Sequence, residues 1–374
     1  MIKSDLPRIP GIRPSVNHAT PYQPGQFIED VRSTYNLEEV VKIASNENPY
    51  GPFPNSIAYM QREVSKLNLY PDSNFTELRA VLGQVHQVSP DCISISHGAE
   101  GMLQTIGKCF LQEGDEVILP TATYTLYSEI SIIMGADVIR VPMDQYSVNL
   151  AEVEAALSER TKLIWLANPN NPTGTIVDRH DFERFLAMLP ENTWVVLDEA
   201  YAEFAEAEKL PDRVALIKAG HRLISVRTFS KAYGLAGARL GYAIARPDMV
   251  SVINTVSEPF NANRVALAGA LGVLEKDLQA VRKSTSRIIR ERQRTEERLH
   301  RLNLDVIPSQ ANFVMFQTPV DAQTIFEEML SQGVIVRPCA AWNYPHMVRV
   351  TIGTPPQMDR FFALLESLLA KYGE

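Results

Sequence analysis

Between Cys92 and Ala245 the chain alternates short apolar runs with amphipathic stretches, and this alternation narrows the possible folds more than any other feature. The apolar runs fall at 93–96, 117–119, 138–141, 163–167, 194–197, 223–226 and 242–245. Helical spacing fills the gaps: a helix opened by His97-Gly98-Ala99-Glu100-Gly101, another ending at Met134, and further ones over 150–157 and 182–189. Short buried strands separated by helices give a mostly parallel sheet covered on both faces. The fold class is therefore α/β.

The flanks read differently. Residues 1 to about 30 carry Pro7, Pro10, Gly11, Pro14, Pro21, Pro24 and Gly25, which predicts an extended arm lying on its own domain or on a partner subunit. A short helix over 28–37, a strand over 40–44 and helices over 57–67 and 75–87 follow, with SNENPYGPFP (45–54) as a turn. After Pro259 the spacing predicts one long helix over 265–302, roughly 50 Å or more at its usual rise. Its basic run, Arg282 to Arg301, is interleaved with glutamates and reads as solvated. Strands over 313–316, 334–337 and 348–352, with helices over 322–332 and 356–371, make a small α/β layer, and the arm is assigned to it. The expected division is 1–45 (arm and part of the small domain), 46–264 (large domain) and 265–374 (connecting helix and small domain).

Composition bears mainly on partners. A net charge of −8 across 374 residues, without a dense Lys/Arg cluster, argues against nucleic acid. Cys92, Cys109 and Cys339 lie far apart with no C-x-x-C spacing, and the seven histidines show no metal spacing, so no metal is expected. No stretch reaches the apolar length of a membrane span and the first residues lack an apolar leader core, so a cytoplasmic protein is expected.

Chemistry concentrates in RTFSKAYGLAGARLGY (227–242). Lys231 stands between the hydroxyls of Thr228 and Ser230, with Arg239 downstream and small residues between. A lysine in so cramped a backbone loses solvation and holds a depressed pKa. A neutral amine of that kind forms a Schiff base with an aldehyde, and the hydroxyls and Arg239 are donors for a phosphate. Together they make a handle for pyridoxal phosphate; alone, the stretch also reads as a solvated lysine in a Ser/Gly loop.

Strand ends supply the rest, because open α/β sheets bind ligands beyond the carboxyl ends of their strands. The 194–197 run delivers Asp198 there, with Tyr201 close behind in DEAY. A strand-end aspartate also caps helices, but with Lys231 one βα unit later it reads as the partner of the protonated pyridoxal ring nitrogen, keeping that ring an electron sink. NPNNPTG fixes the Asn171 amide in a rigid turn; Asn171 and Tyr201 can both bond the ring oxygen. The backbone of Ala99 and Glu100 offers N–H groups to an anion. Tyr124 reads equally as a ring-stacking residue and as core. Arg337 and Arg349, on two short strands of the small layer, suggest an anionic substrate.

With these residues in hand the chain resembles the fold-type I pyridoxal-phosphate aminotransferases, and most closely their histidinol-phosphate branch. The matching stretches run nearly end to end: TPYQPG, KIASNENPYGP, YPD, NPNNPTG, VLDEAY, RTFSKAYGLAGARLGY and VRVTIG. The resemblance implies pyridoxal 5'-phosphate as cofactor and a homodimer with shared sites. It makes Lys231 the imine-forming base, Asp198 the ring-nitrogen partner, Asn171 and Tyr201 the ring-oxygen partners and Tyr124 the stacking residue. Ala99, Glu100, Thr228, Ser230 and Arg239 would bind the cofactor phosphate, with Tyr70 reaching over from the other subunit. Arg349 would take the carboxylate of glutamate; Arg337, Arg349 and Tyr22 of the neighbour's arm would hold a substrate phosphate. One departure stands out: the branch often carries Ser-Asp-Glu where this chain has Ala99-Glu100-Gly101, which removes a hydroxyl donor.

The implied activity is ping-pong amino transfer between glutamate and histidinol phosphate, a step of histidine biosynthesis. The alternatives are an aromatic aminotransferase, a decarboxylase of a phosphorylated amino acid, and a ligand-binding protein that kept the fold without catalysis.

Overall fold

The computed structural model describes residues 9–21 and 25–372. Seven strands form the large sheet, in the order Ile93–Ser96, Gly241–Ile244, Leu223–Thr228, Trp194–Asp198, Thr161–Ala167, Glu116–Pro120, Asp137–Val141. The inner strands are apolar on both faces, as a sheet sandwiched between helices requires. Gly241–Ile244 runs antiparallel to both of its neighbours. Strand direction leaves no trace in hydrophobic periodicity, so this reversal emerges only from the structure.

Helix ends follow local chemistry. Asp178 accepts hydrogen bonds from the backbone N–H of His180 and Asp181 and starts the Arg179–Met188 helix. Leu126–Met134 stops at Gly135, whose φ of 89° is readily adopted by glycine.

The small layer is an antiparallel sheet in the order Val306–Ile307, Phe313–Gln317, Met347–Thr351, Arg337–Pro338, packed with the Ala322–Ser331 and Pro355–Tyr372 helices. The strand expected over 334–337 is in fact two. Val334–Ile335 pairs in parallel with Val41–Lys42, and only from Arg337 does the chain join the four-stranded sheet.

The helix expected over 265–302 is Arg264–Gly272, a π-helical turn Val273–Asp277 and Leu278–Arg301. The turn carries buried Asp277, whose carboxylate accepts hydrogen bonds from Asn55 Nδ2 (2.7 Å) and Ser56 N (2.9 Å) at the start of the Pro54–Val64 helix. The basic run is not solvated all round. Ile288, Arg292, Thr295 and Leu299 are buried, and Arg292 Nη1 donates to the carbonyls of Phe204 and Ala311. Periodicity shows this stripe, but the high charge of the sequence masks it.

Part of the arm also lies elsewhere than expected. The 3₁₀ turn Pro14–His18 rests on the Leu126–Met134 helix of the large layer: Ser15 Oγ donates to Ile133 O, and Thr20 N to Glu129 Oε2. Only the later residues, from Ile28 to Ala44, pack with the small layer.

Candidate active site

A cavity of about 430 Å³ opens where the carboxyl ends of the central strands face the small layer. Asp198 ends the Trp194–Asp198 strand and is almost wholly buried. Its two carboxylate oxygens accept hydrogen bonds from Tyr127 OH (2.7 Å) and Ala200 N (3.1 Å). Burial raises the Asp198 pKa to about 6, and the Tyr127 bond opposes part of that rise. Tyr127 is fully buried and stacked on Trp165, with ring planes 1° apart, so its hydroxyl has a fixed aim.

Lys231 leaves the end of the Leu223–Thr228 strand and reaches solvent through the cavity it lines. Nζ donates to Ser45 O at 2.9 Å and lies 5.7 Å from the centre of the Tyr201 ring. Desolvation, joined by the charges of Arg349 and Arg239, lowers its pKa to about 8. The depressed lysine expected from the small residues around it is therefore present, with a cause the sequence could not display: a cationic neighbour 118 positions away in the small layer.

The SNENPYGP segment holds this lysine in place. Asn46 Nδ2 donates to Tyr201 OH, while its Oδ1 accepts from Thr351 Oγ1. Asn48 Nδ2 donates to the carbonyl of Ala232, next to Lys231. Gly51 meets Gly234 backbone to backbone: a Cβ added at Gly51 would stand 2.7 Å from Gly234 Cα. This segment thus touches the lysine loop, Tyr201 and the small layer at once.

A helix N-terminus also meets the cavity. The Gly98–Phe110 helix opens at Gly98 (φ 92°), with Ala99 and Glu100 on the cavity wall. Thr228 and Ser230 also line it, and Thr228 Oγ1 accepts from Ser230 N. Arg239 lines the cavity too, its guanidinium 3.5 Å from the Glu100 carboxylate and 3.0 Å from where a Gly98 Cβ would sit.

From the small layer come Arg349 and Arg337, directly opposite each other across the antiparallel pair. Arg349 is buried; Nη1 donates to Asn171 Oδ1 and Nη2 to Ala44 O at 2.7 Å. Tyr124 lines the cavity, edge-on to Tyr127.

The structure thus brings Lys231, Asp198, Asn171, Tyr201, Tyr124, Ala99, Glu100, Thr228, Ser230, Arg239, Arg337 and Arg349 to one cavity. It does not bring Tyr70, which stands 77% exposed, stacked on Phe260 and away from this wall. Tyr22 lies outside the described residues. Sequence reasoning missed Tyr127, Asn46 and Trp342. Tyr127 had one available signal: it stands three residues after Tyr124, close enough in a helical turn for one to reach what the other touches.

These residues fit pyridoxal 5'-phosphate. A buried carboxylate, with hydrogen bonds but no ion pair among the described residues, suits a protonated ring nitrogen. An amine with its pKa near 8 suits an aldehyde. A helix N-terminus without a Cβ at its first residue, beside two hydroxyls and an arginine, suits a phosphate. Fold and site define a pyridoxal-phosphate enzyme of fold type I, with the lysine on one layer and the two arginines on the other.

The comparisons agree. The family model for aminotransferase class I and II matches residues 38–365. Histidinol-phosphate aminotransferase 2 of Haemophilus influenzae (strain 86-028NP) is 38% identical over 355 residues, 95% of this chain and 96% of its own length. The histidinol-phosphate aminotransferase of Moorella thermoacetica is 36% identical over 363 residues, 97% of this chain and 94% of its own. The crystal structure of histidinol-phosphate aminotransferase from Sinorhizobium meliloti in complex with pyridoxal-5'-phosphate superposes with a TM-score of 0.88 at 27% identity, covering 97% of this chain and 99% of that one. The chain belongs to the class I and II aminotransferases: it is a pyridoxal-phosphate-dependent transaminase.

Proposed function

We propose that this transaminase moves an amino group between glutamate and histidinol phosphate, returning 2-oxoglutarate and imidazole acetol phosphate in opposite directions of a ping-pong cycle. The observation that carries the reading is the placement of Arg337 opposite Arg349 beside the cavity. Two guanidiniums on adjacent strands favour a doubly charged phosphate, and one alone serves a carboxylate. The relatives from Haemophilus influenzae and Moorella thermoacetica, 38% and 36% identical, carry the histidinol-phosphate name, which supports the same choice.

Bound pyridoxal 5'-phosphate supplies an aldehyde that condenses with amines and an electron-poor ring that stabilises charge on the adjacent carbon. The protein's residues do the remaining work. Asp198, its carboxylate aimed by Tyr127 and Ala200, would keep the ring nitrogen protonated. Asn171 and Tyr201 would hold the ring oxygen, and Tyr124 would pack against the ring. Thr228, Ser230, Arg239 and the backbone of Ala99 and Glu100 would anchor the phosphate. Lys231 would hold the aldehyde through Nζ and would move the proton at the substrate's α-carbon; a pKa near 8 lets it hold or give that proton near neutrality. Arg349 orients the carboxylate of glutamate, and Arg337 joins it for a substrate phosphate.

The assembly in this reading is a cytoplasmic homodimer. Tyr70, exposed on its own chain, would complete the neighbour's phosphate site, and Tyr22 would come from the neighbour's arm. The division into arm, large domain (46–264) and small domain (265–374) belongs to the same proposal. The test is steady-state kinetics with glutamate and imidazole acetol phosphate. Parallel double-reciprocal lines are expected, with Lys231→Ala reducing turnover on the order of 10⁴-fold or more. A sequential pattern, carbon dioxide release, or phenylalanine used far better than histidinol phosphate would replace this reading.

A further inference from the structure

Arg337 and Arg349 pose an electrostatic problem. Residues directly opposite on an antiparallel pair share a face and lie close together, and like charges there repel. Arg349 spends its donors on Asn171 and Ala44. Among the described residues, Arg337 has no carboxylate and no hydrogen-bond partner for its side chain; what it meets is an aromatic face. Its guanidinium carbon lies 5.8 Å from the centre of the Trp342 ring, and that of Arg349 lies 5.7 Å from the same ring. Both are within the range over which a tryptophan quadrupole attracts a cation, and the attraction grows where water is scarce.

The indole is itself fixed. Trp342 is buried, closes the short 3₁₀ turn Ala340–Trp342, and donates Nε1–H to the carbonyl of Thr123 at 2.7 Å. Thr123 precedes Tyr124 in the large layer, so this bond crosses from the arginine strands to the loop that carries the stacking tyrosine.

We propose that Trp342 is a positioning and specificity residue: its ring face holds the two guanidiniums side by side in readiness for a doubly charged group, and its N–H fixes their distance from Tyr124. The inference rests on the reading that these arginines receive the anionic end of the substrate, and it goes further in naming what keeps them paired when that end is absent. A dianion needs both cations, whereas a monocarboxylate needs only one. Trp342 therefore sets the preference for phosphate over carboxylate more than it sets affinity for anions in general.

The test measures binding of inorganic phosphate and of acetate to the cofactor-loaded enzyme by calorimetry, for wild type, Trp342→Leu, Trp342→Phe and Arg337→Met. Trp342→Leu stays apolar but removes the π face and the N–H; its phosphate Kd is expected to rise about tenfold and its acetate Kd by less than threefold. Trp342→Phe restores a ring without the N–H and is expected to recover most of the phosphate affinity. Equal weakening of both anions in Trp342→Leu, no weakening of either, or no recovery in Trp342→Phe would overturn the role assigned to the ring. If Arg337→Met binds phosphate as tightly as wild type, the arginine site itself is misread. If Arg337→Met loses phosphate while Trp342→Leu keeps it, only the tryptophan inference fails.

Discussion

Asp198→Asn should make the cofactor-free protein more stable, not less, and only above acidic pH. The asparagine is isosteric and can keep both hydrogen bonds: its Oδ1 accepts from Ala200 N, while its amide donates to a Tyr127 hydroxyl that rotates to accept. What changes is charge. Burial lifts the Asp198 carboxyl from its ordinary 3.8 to about 6, a gap of about two pH units worth about 3 kcal/mol. Because the folded pKa is the higher one, the folded chain keeps the proton to a higher pH than the unfolded chain does. The associated stability is intact below 3.8 and is lost as pH rises through about 6. Urea unfolding of cofactor-free wild type and D198N should therefore differ by roughly 1–2 kcal/mol at pH 5 and about 3 kcal/mol at pH 7.5, favouring the variant. With saturating cofactor the order inverts, since the wild-type carboxylate then faces a cation, and D198N also loses cofactor affinity. A pH-independent gap, or a variant less stable than wild type at pH 7.5 without cofactor, would refute the claim that this carboxylate is held unpaired at an energetic cost.

Three other outcomes follow from the same contacts. Tyr127→Phe removes a hydrogen bond that lowers the Asp198 pKa, so the Asp198 carboxyl should titrate above about 6, readable by carbon NMR of aspartate-labelled, cofactor-free protein. Arg349→Met removes the leading positive charge that depresses Lys231, so the amine should titrate above about 8 in pH-dependent labelling, and the KM for glutamate should rise on the order of 100-fold. Gly51→Ala puts a Cβ 2.7 Å from Gly234 Cα, where backbone cannot yield as a side chain would. It should cost about 1–3 kcal/mol in urea unfolding and displace the lysine loop enough to lower kcat.

The parts of the site legible in the sequence are those whose neighbours in space are also neighbours in the chain. Lys231 sits among its own small residues and hydroxyls, and Asp198 ends a run that could only be a buried strand. The sheet followed from the same short apolar runs. What the sequence hid depends on contacts between distant segments. Asn46 acquires its role from Thr351 and Tyr201, 305 and 155 positions away. Trp342 acquires its role from Thr123, 219 positions away. Tyr127 looks like any apolar helix residue until Asp198 is placed beneath it. The reversed Gly241–Ile244 strand and the π turn at Val273–Asp277 were hidden for another reason: an apolar run is the same read in either direction, and one extra residue per turn barely disturbs a helical pattern.

In the proposed function, chemistry and selection are assigned to different walls of the cavity. Lys231, Asp198 and Tyr201 are rooted in the large sheet, while Arg337, Arg349 and Trp342 hang from the small one. The walls are nonetheless coupled, because Arg349 helps depress the Lys231 pKa and Trp342 bonds the carbonyl of Thr123 across the cavity. A lineage that edits the arginine strands therefore retunes the lysine along with what the cavity accepts.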